Sequence, residues 1–91
     1  MEGCCIFLTI TTRGGILCLV VTYENREFSH PLVNGVSVHH AFEQLIPLVR
    51  MALWRKSRIH IQWVKTDGNE AFYSYAFEEV LDRFDLDILE A

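Results

Sequence analysis

Seven side chains in this chain can bind a soft metal or carry a proton: Cys4, Cys5 and Cys18, with His30, His39, His40 and His60. Four of them converging as a tetrahedron would make a zinc site. Their spacing opposes that. A hairpin turning at Arg13-Gly14 or Gly14-Gly15 sets Cys18 opposite a residue between Thr9 and Thr11, several residues along from Cys4 and Cys5. Those two adjacent cysteines in turn point to opposite faces of a strand. No metal and no cofactor is expected, and the thiols read as buried and reduced. His39 and His40 have Glu43 three or four residues on, an acid–base arrangement at helical spacing that still lacks a nucleophile. Cys5 and Ser29 are the available nucleophiles, and neither lies in a nucleophile elbow. These residues are expected to form a solvated helical turn, and the chain is expected not to be an enzyme.

The charges divide by segment. Arg50, Arg55, Lys56, Arg58 and Lys65 are five of the eight basic residues, while Glu78, Glu79, Asp82, Asp85, Asp87 and Glu90 are half of the twelve acidic ones. Segment 50–65 also carries Trp54 and Trp63, so Arg50, Arg55, Lys56, Arg58 and Trp63 could form a small nucleic-acid platform, guanidinium on phosphate and ring on base. A net charge of −4 opposes broad phosphate-backbone binding, which draws on an excess of Lys and Arg. In the tail, Phe77, Val80, Leu81, Phe84 and Ile88 form an apolar stripe beside a carboxylate-rich face. Such a helix can lie in a partner's groove or show a negative surface to a basic site, and Glu78, Glu79, Asp82, Asp85 and Asp87 are its candidate contacts.

The elements that must position these groups are legible from pattern. Residues 4–12 and 16–23 are β-branched and apolar around Arg13-Gly14-Gly15, which predicts a hairpin. Glu24-Asn25-Arg26 predicts a second turn into a shorter strand over 27–33, where Pro31 limits pairing and implies an edge. After Asn34-Gly35, Ser37 is the predicted N-cap of a helix carrying Val38, Phe42, Leu45, Ile46, Val49 and Leu53, with a kink or break expected over 40–48 because of Pro47. Residues 58–65 alternate as a strand with Ile59, Ile61 and Trp63 on one face. Thr66-Asp67-Gly68-Asn69 predicts a turn, 70–75 a strand pairing back across it, and the acidic stripe a closing helix through Ile88. The expected fold is α+β, a two-layer sandwich of order β-β-β-α-β-β-α, with a mainly antiparallel sheet and two helices in one domain over residues 1–91.

That order of three strands, a helix and a further strand, with Thr66-Asp67-Gly68 after it, resembles the opening of a ribonuclease H-like fold. The resemblance implies two-metal chemistry carried by carboxylates, one of them on the first strand. Cys4-Cys5-Ile6-Phe7-Leu8-Thr9-Ile10 holds none, Glu43 and Asp67 are the acids at matching places, and two acids alone fall short of a metal pair. A ribonuclease H-like or Cys/His-dependent enzyme is therefore the third functional reading.

The run Ile16-Leu-Cys-Leu-Val-Val21 is apolar at both parities, as in a strand buried on two faces. If both helices cover one face, the other would show contiguous apolar surface, and a homodimer or a larger partner would cover it. The leading expectation is a protein-interaction domain, a small acidic inhibitor or adaptor of the phage or viral kind, occluding a site on a larger protein. Nucleic-acid binding through segment 50–65 is the alternative. Met1-Glu2-Gly3 lacks a basic leader and no apolar run nears about 20 residues, so a cytoplasmic protein without a membrane segment is expected.

Overall fold

The computed structural model describes residues 3–89; Met1 and Glu2 of the leader reading and Glu90 of the acidic tail lie outside them. The chain runs β1 (Gly3–Arg13), β2 (Ile16–Tyr23), β3 (Arg26–Pro31), α1 (Val38–Ser57), β4 (His60–Thr66), a 3₁₀ turn (Glu70–Tyr73), α2 (Tyr75–Arg83) and β5 (Asp87–Ile88). The sheet order is β3-β2-β1-β4-β5. β1–β2 and β2–β3 are antiparallel, whereas β4 joins β1, and β5 joins β4, in parallel. The α+β class, the single sheet and the two helices are as expected. Gly14 and Gly15, both at positive φ, make the β1–β2 turn, and β3 lies at the edge.

Three local expectations are corrected. Residues 70–75 form no strand: Asn69 Oδ1 accepts from Ala71 N at 3.0 Å and Ser74 Oγ from Phe77 N at 3.1 Å, two successive side-chain caps that turn the chain into helix. The closing helix stops at Arg83, because Asp85 takes a left-handed conformation (φ 55°) and Leu86 N bonds Leu81 O at 2.9 Å, so Asp87–Ile88 is strand. The break at Pro47, one of the two outcomes expected there, does not occur: α1 is one element through Pro47, which is exposed, so the amide bond its ring cannot supply falls where water can replace it. Ser37 is the N-cap residue as expected, though its hydroxyl makes no capping bond.

Both helices lie on one face of the sheet. Ile6, Leu8, Leu19, Val21, Ile61 and Val64 meet Phe42, Ile46, Val49 and Leu53 of α1 and Phe77, Val80 and Leu81 of α2, all buried. Phe77 is central, its ring 5.1 Å from Phe42 and 5.3 Å from Phe72. The alternation read over 58–65 is broken by a bulge: Cys4 pairs with Ile61 but Cys5 with Trp63, so Gln62 is extra and Trp63 turns to the open face. That face carries Cys5, Phe7, Thr9, Thr11, Val20, Thr22 and Lys65 beside it. Among the described residues no helix is long and apolar enough to cross a membrane.

Phe42→Ala, at a fully buried ring, is expected to destabilise the fold by about 3–5 kcal/mol, whereas Leu48→Ala on the exposed side of α1 should stay within about 0.5 kcal/mol. Urea unfolding of the two variants measures the difference.

Candidate functional site at the β1–β4 edge

From β1 the chain builds outward to β2 and β3 on one side, then crosses by α1 to place β4 and β5 on the other. The gap between β1 and β4 is thus the point where the direction of winding reverses. Outside the carboxyl ends of parallel strands, such a point leaves a crevice that no connection covers. Asp67 sits there. Its N–H donates to Leu8 O at 3.1 Å and continues the β1–β4 ladder, and its Oδ2 accepts from Ile10 N at 3.2 Å. Its Oδ1 accepts from Asn69 N at 2.9 Å, so the carboxylate is fixed by main chain on two sides while the residue stays exposed. Gly68, at φ 87°, gives the turn its left-handed step, and its N–H donates to Thr66 Oγ1, which also lies 3.2 Å from Tyr73 Oη.

Around this carboxylate lies an open depression of about 660 Å³, lined by Phe7, Lys65, Thr66, Asp67, Tyr73 and Leu89 among others. It presents one cation, one anion and two half-exposed aromatic rings. The chemistry it supports is recognition of a ligand with both phosphate-like charge and planar rings, with a held acceptor at Asp67. The metal pair implied by a ribonuclease H-like fold does not fit these residues. Past Leu8, β1 offers Thr9, Ile10, Thr11 and Thr12, and Glu43 is engaged by Arg83 of α2 at 2.9 Å. Among the described residues no three His, Cys, Asp or Glu side chains converge as a metal site.

The other candidates are dispersed. Cys5 and Ser29 lie on the open face of the sheet and His39 and His40 on the helix covering the other, so the sheet separates each nucleophile from its base. Burial also pushes the Cys4 and Cys5 thiols up, which lowers their thiolate fraction. His30 Nδ1 lies 2.9 Å from Pro31 O on the edge strand, and His60 starts β4. The basic platform is split. Arg50 donates to Phe84 O and lies 5.5 Å over its ring, Arg55, Lys56 and Arg58 are exposed at the end of α1, and Trp63 is on the far side of the sheet. The tryptophan beside the arginines is Trp54, with the Arg58 guanidinium 5.3 Å over its ring. On α2, Phe77, Val80 and Leu81 are buried in the chain's own core, so the stripe is not open to a partner's groove. Glu78, Glu79, Asp82, Asp85 and Asp87 are all exposed. The Thr66-Asp67-Gly68-Asn69 motif announces the turn that carries Asp67 but not its companions: Lys65 groups in sequence with the basic segment, and Tyr73 falls in a stretch patterned like a strand.

Asp67→Ala removes the acceptor of two main-chain N–H groups and is expected to cost about 1–2 kcal/mol, with faster amide exchange at Ile10 and Asn69. Asp67→Asn keeps one oxygen acceptor and should cost less; denaturant unfolding with hydrogen exchange reads both.

No protein-family model matches the sequence, and no curated protein does. Among solved structures the chain is similar to the catalytic core domain of BIV integrase, at a TM-score of 0.66 and 9% identity, over 96% of this chain and 53% of that one. The chain spans about half the length of that neighbour. The likeness is one of fold. It nonetheless counts against the expectation that the chain is not an enzyme, since the fold it shares is one that the catalytic core domain of BIV integrase also has.

Proposed function

We propose that this chain serves in nucleic-acid processing, holding a polynucleotide strand at the carboxyl edge of β1 and β4. The observation that carries this reading is Asp67, exposed and main-chain-fixed at the winding reversal of an integrase-core fold, in a depression shared with Lys65, Phe7 and Tyr73. In this reading Lys65 pairs with a backbone phosphate, the two rings give bases a surface to stack on, and Asp67 accepts a hydrogen bond from a sugar hydroxyl, a base amino group or a bound water. These residues bind and orient the strand, and no step is assigned to a metal. Fold-level likeness supports the substrate class by analogy. Titration of labelled single- and double-stranded DNA and RNA at low salt, read by anisotropy, should give binding that weakens as salt rises. Lys65→Ala should lower affinity about 5- to 10-fold, roughly 1 kcal/mol. Absence of binding to all four probes, or Lys65→Ala equal to wild type, would refute the assignment.

A second reading has its own observation: Glu78, Glu79, Asp82, Asp85 and Asp87 are exposed together, and none forms an ion pair among the described residues. This face suits a basic site on a larger protein, as an inhibitor or adaptor would use it. Reversing Glu79 and Asp82 to Lys should reduce capture of such a partner from native lysate at least tenfold while leaving the thermal transition within a few degrees. Undiminished capture would sink it.

A further inference from the structure

A groove of about 360 Å³ opens at the other end of β4, lined by Arg50, Trp54, Ile59, His60, Phe84 and Asp85 among others. We propose that it is a second nucleic-acid site, taking one nucleotide of a single strand with the base on Trp54 and the phosphate among Arg50, Arg58 and His60.

Arg50 is half-buried, with one guanidinium N–H on Phe84 O and the ring of Phe84 beneath it. A guanidinium has five donors, so this single bond leaves capacity turned toward the groove. Burial draws the Arg50 pKa down and Asp85 draws it back up, as for a cation that has lost water without gaining a close counter-charge. One turn further along α1, on the same face, Trp54 is 44% exposed although it is a large aromatic residue. Arg58 lies over that ring, and a guanidinium stacked on an indole is a platform on which any base can lie.

The backbone at Arg58 points the same way. It ends α1 in a left-handed conformation, φ 54° and ψ 35°, with its N–H on Trp54 O at 2.9 Å. Glycine suits such a helix end, since a Cβ there is strained. The arginine is exposed, and the contact its guanidinium makes is with the Trp54 ring, so the left-handed step at the end of α1 sets the cation beside the indole. An acidic peptide would satisfy the cations but leave the indole unused. His60 opens β4 and Asp67 follows its last residue, seven steps or about 23 Å apart at roughly 3.3 Å per residue, so the two sites can be tested apart.

The test is ¹⁵N spectroscopy of the two tryptophan indole N–H signals, assigned with Trp63→Phe, during titration with an eight-residue oligothymidylate, thymidine monophosphate or polyglutamate. The Trp54 signal is expected to move with the oligonucleotide, and Trp63 to stay. Arg58→Gly should be at least as stable as wild type yet bind at least 5-fold more weakly, and Asp67→Asn should leave the Trp54 shift intact. A static Trp54 signal, wild-type affinity in Arg58→Gly, equal shifts with polyglutamate, or a response to the mononucleotide but not the strand would each overturn the proposal. Loss of binding in Lys65→Ala with Trp54 static would uphold the β1–β4 edge and remove this groove alone.

Discussion

The parallel pairing of β1 with β4 is the contact on which the remaining structure depends. It closes the β1–β2–β3 meander into a five-stranded sheet, and the 20-residue α1 is the crossover that carries the chain from β3 at one edge past β2 and β1 to β4. It also sets which side chains face the helices. The extra residue Gln62 turns Ile61 and Val64 inward together, two positions that strict alternation would have set on opposite faces. Gly3 makes room for that bulge, because a Cβ there would collide with the Gln62 side chain. Without that register, Asp67 would not reach both Leu8 O and Ile10 N.

Much of this was legible in the residues. The Gly14-Gly15 turn, the edge position of the Pro31 strand and the helical period from Val38 to Leu53 each follow from local chemistry that tertiary structure has no reason to override. Failure came where two readings share one signal. Thr66-Asp67-Gly68-Asn69 looks like a hairpin turn, but the side chains of Asp67 and Asn69 are consumed as acceptors for main-chain amides that lead into helix. Trp63 looks like a partner of Ile59 and Ile61, and only a bulge, which leaves no mark on local periodicity, turns it away. A two-residue β5 is too short for any pattern to announce.

The site was half legible for a related reason. Its acid and its cation are neighbours in sequence, Lys65 running directly into Thr66-Asp67-Gly68, whereas Phe7, Tyr73 and Ile88 come from β1, the 3₁₀ turn and β5, which only topology brings together. Glu43, the second acid of the ribonuclease H-like resemblance, lies where sequence put it, in α1, yet its carboxylate is turned to Arg83 between the helices. The two charged segments likewise keep their sequence positions but change their meaning in space. Arg50 is drawn into the α1–α2 junction, Lys65 goes to the β1–β4 edge, and the tryptophan that carries a guanidinium, that of Arg58, is Trp54 and not Trp63.

The uncovered sheet face bears on how strongly the fold requires a partner. With Ile6, Leu8, Leu19 and Val21 turned inward, the outward parity is Cys5, Phe7, Thr9 and Thr11 on β1 and Ile16, Cys18, Val20 and Thr22 on β2. Val20 is only 1% exposed: its register neighbours Thr9 and Ser29 flank it on adjacent strands, and Arg13 of β1 and Glu27 of β3, of the same outward parity, join in an ion pair that spans β2. Threonine serves well here, its branched carbon shielding the pleat while its hydroxyl meets water. What remains apolar and open is Phe7, Ile16 and the half-buried Trp63, separated by polar side chains. The force that a continuous aliphatic face would exert toward dimerisation is therefore diluted, and the features that distinguish this surface from an inert one are the charged and aromatic ends of β4.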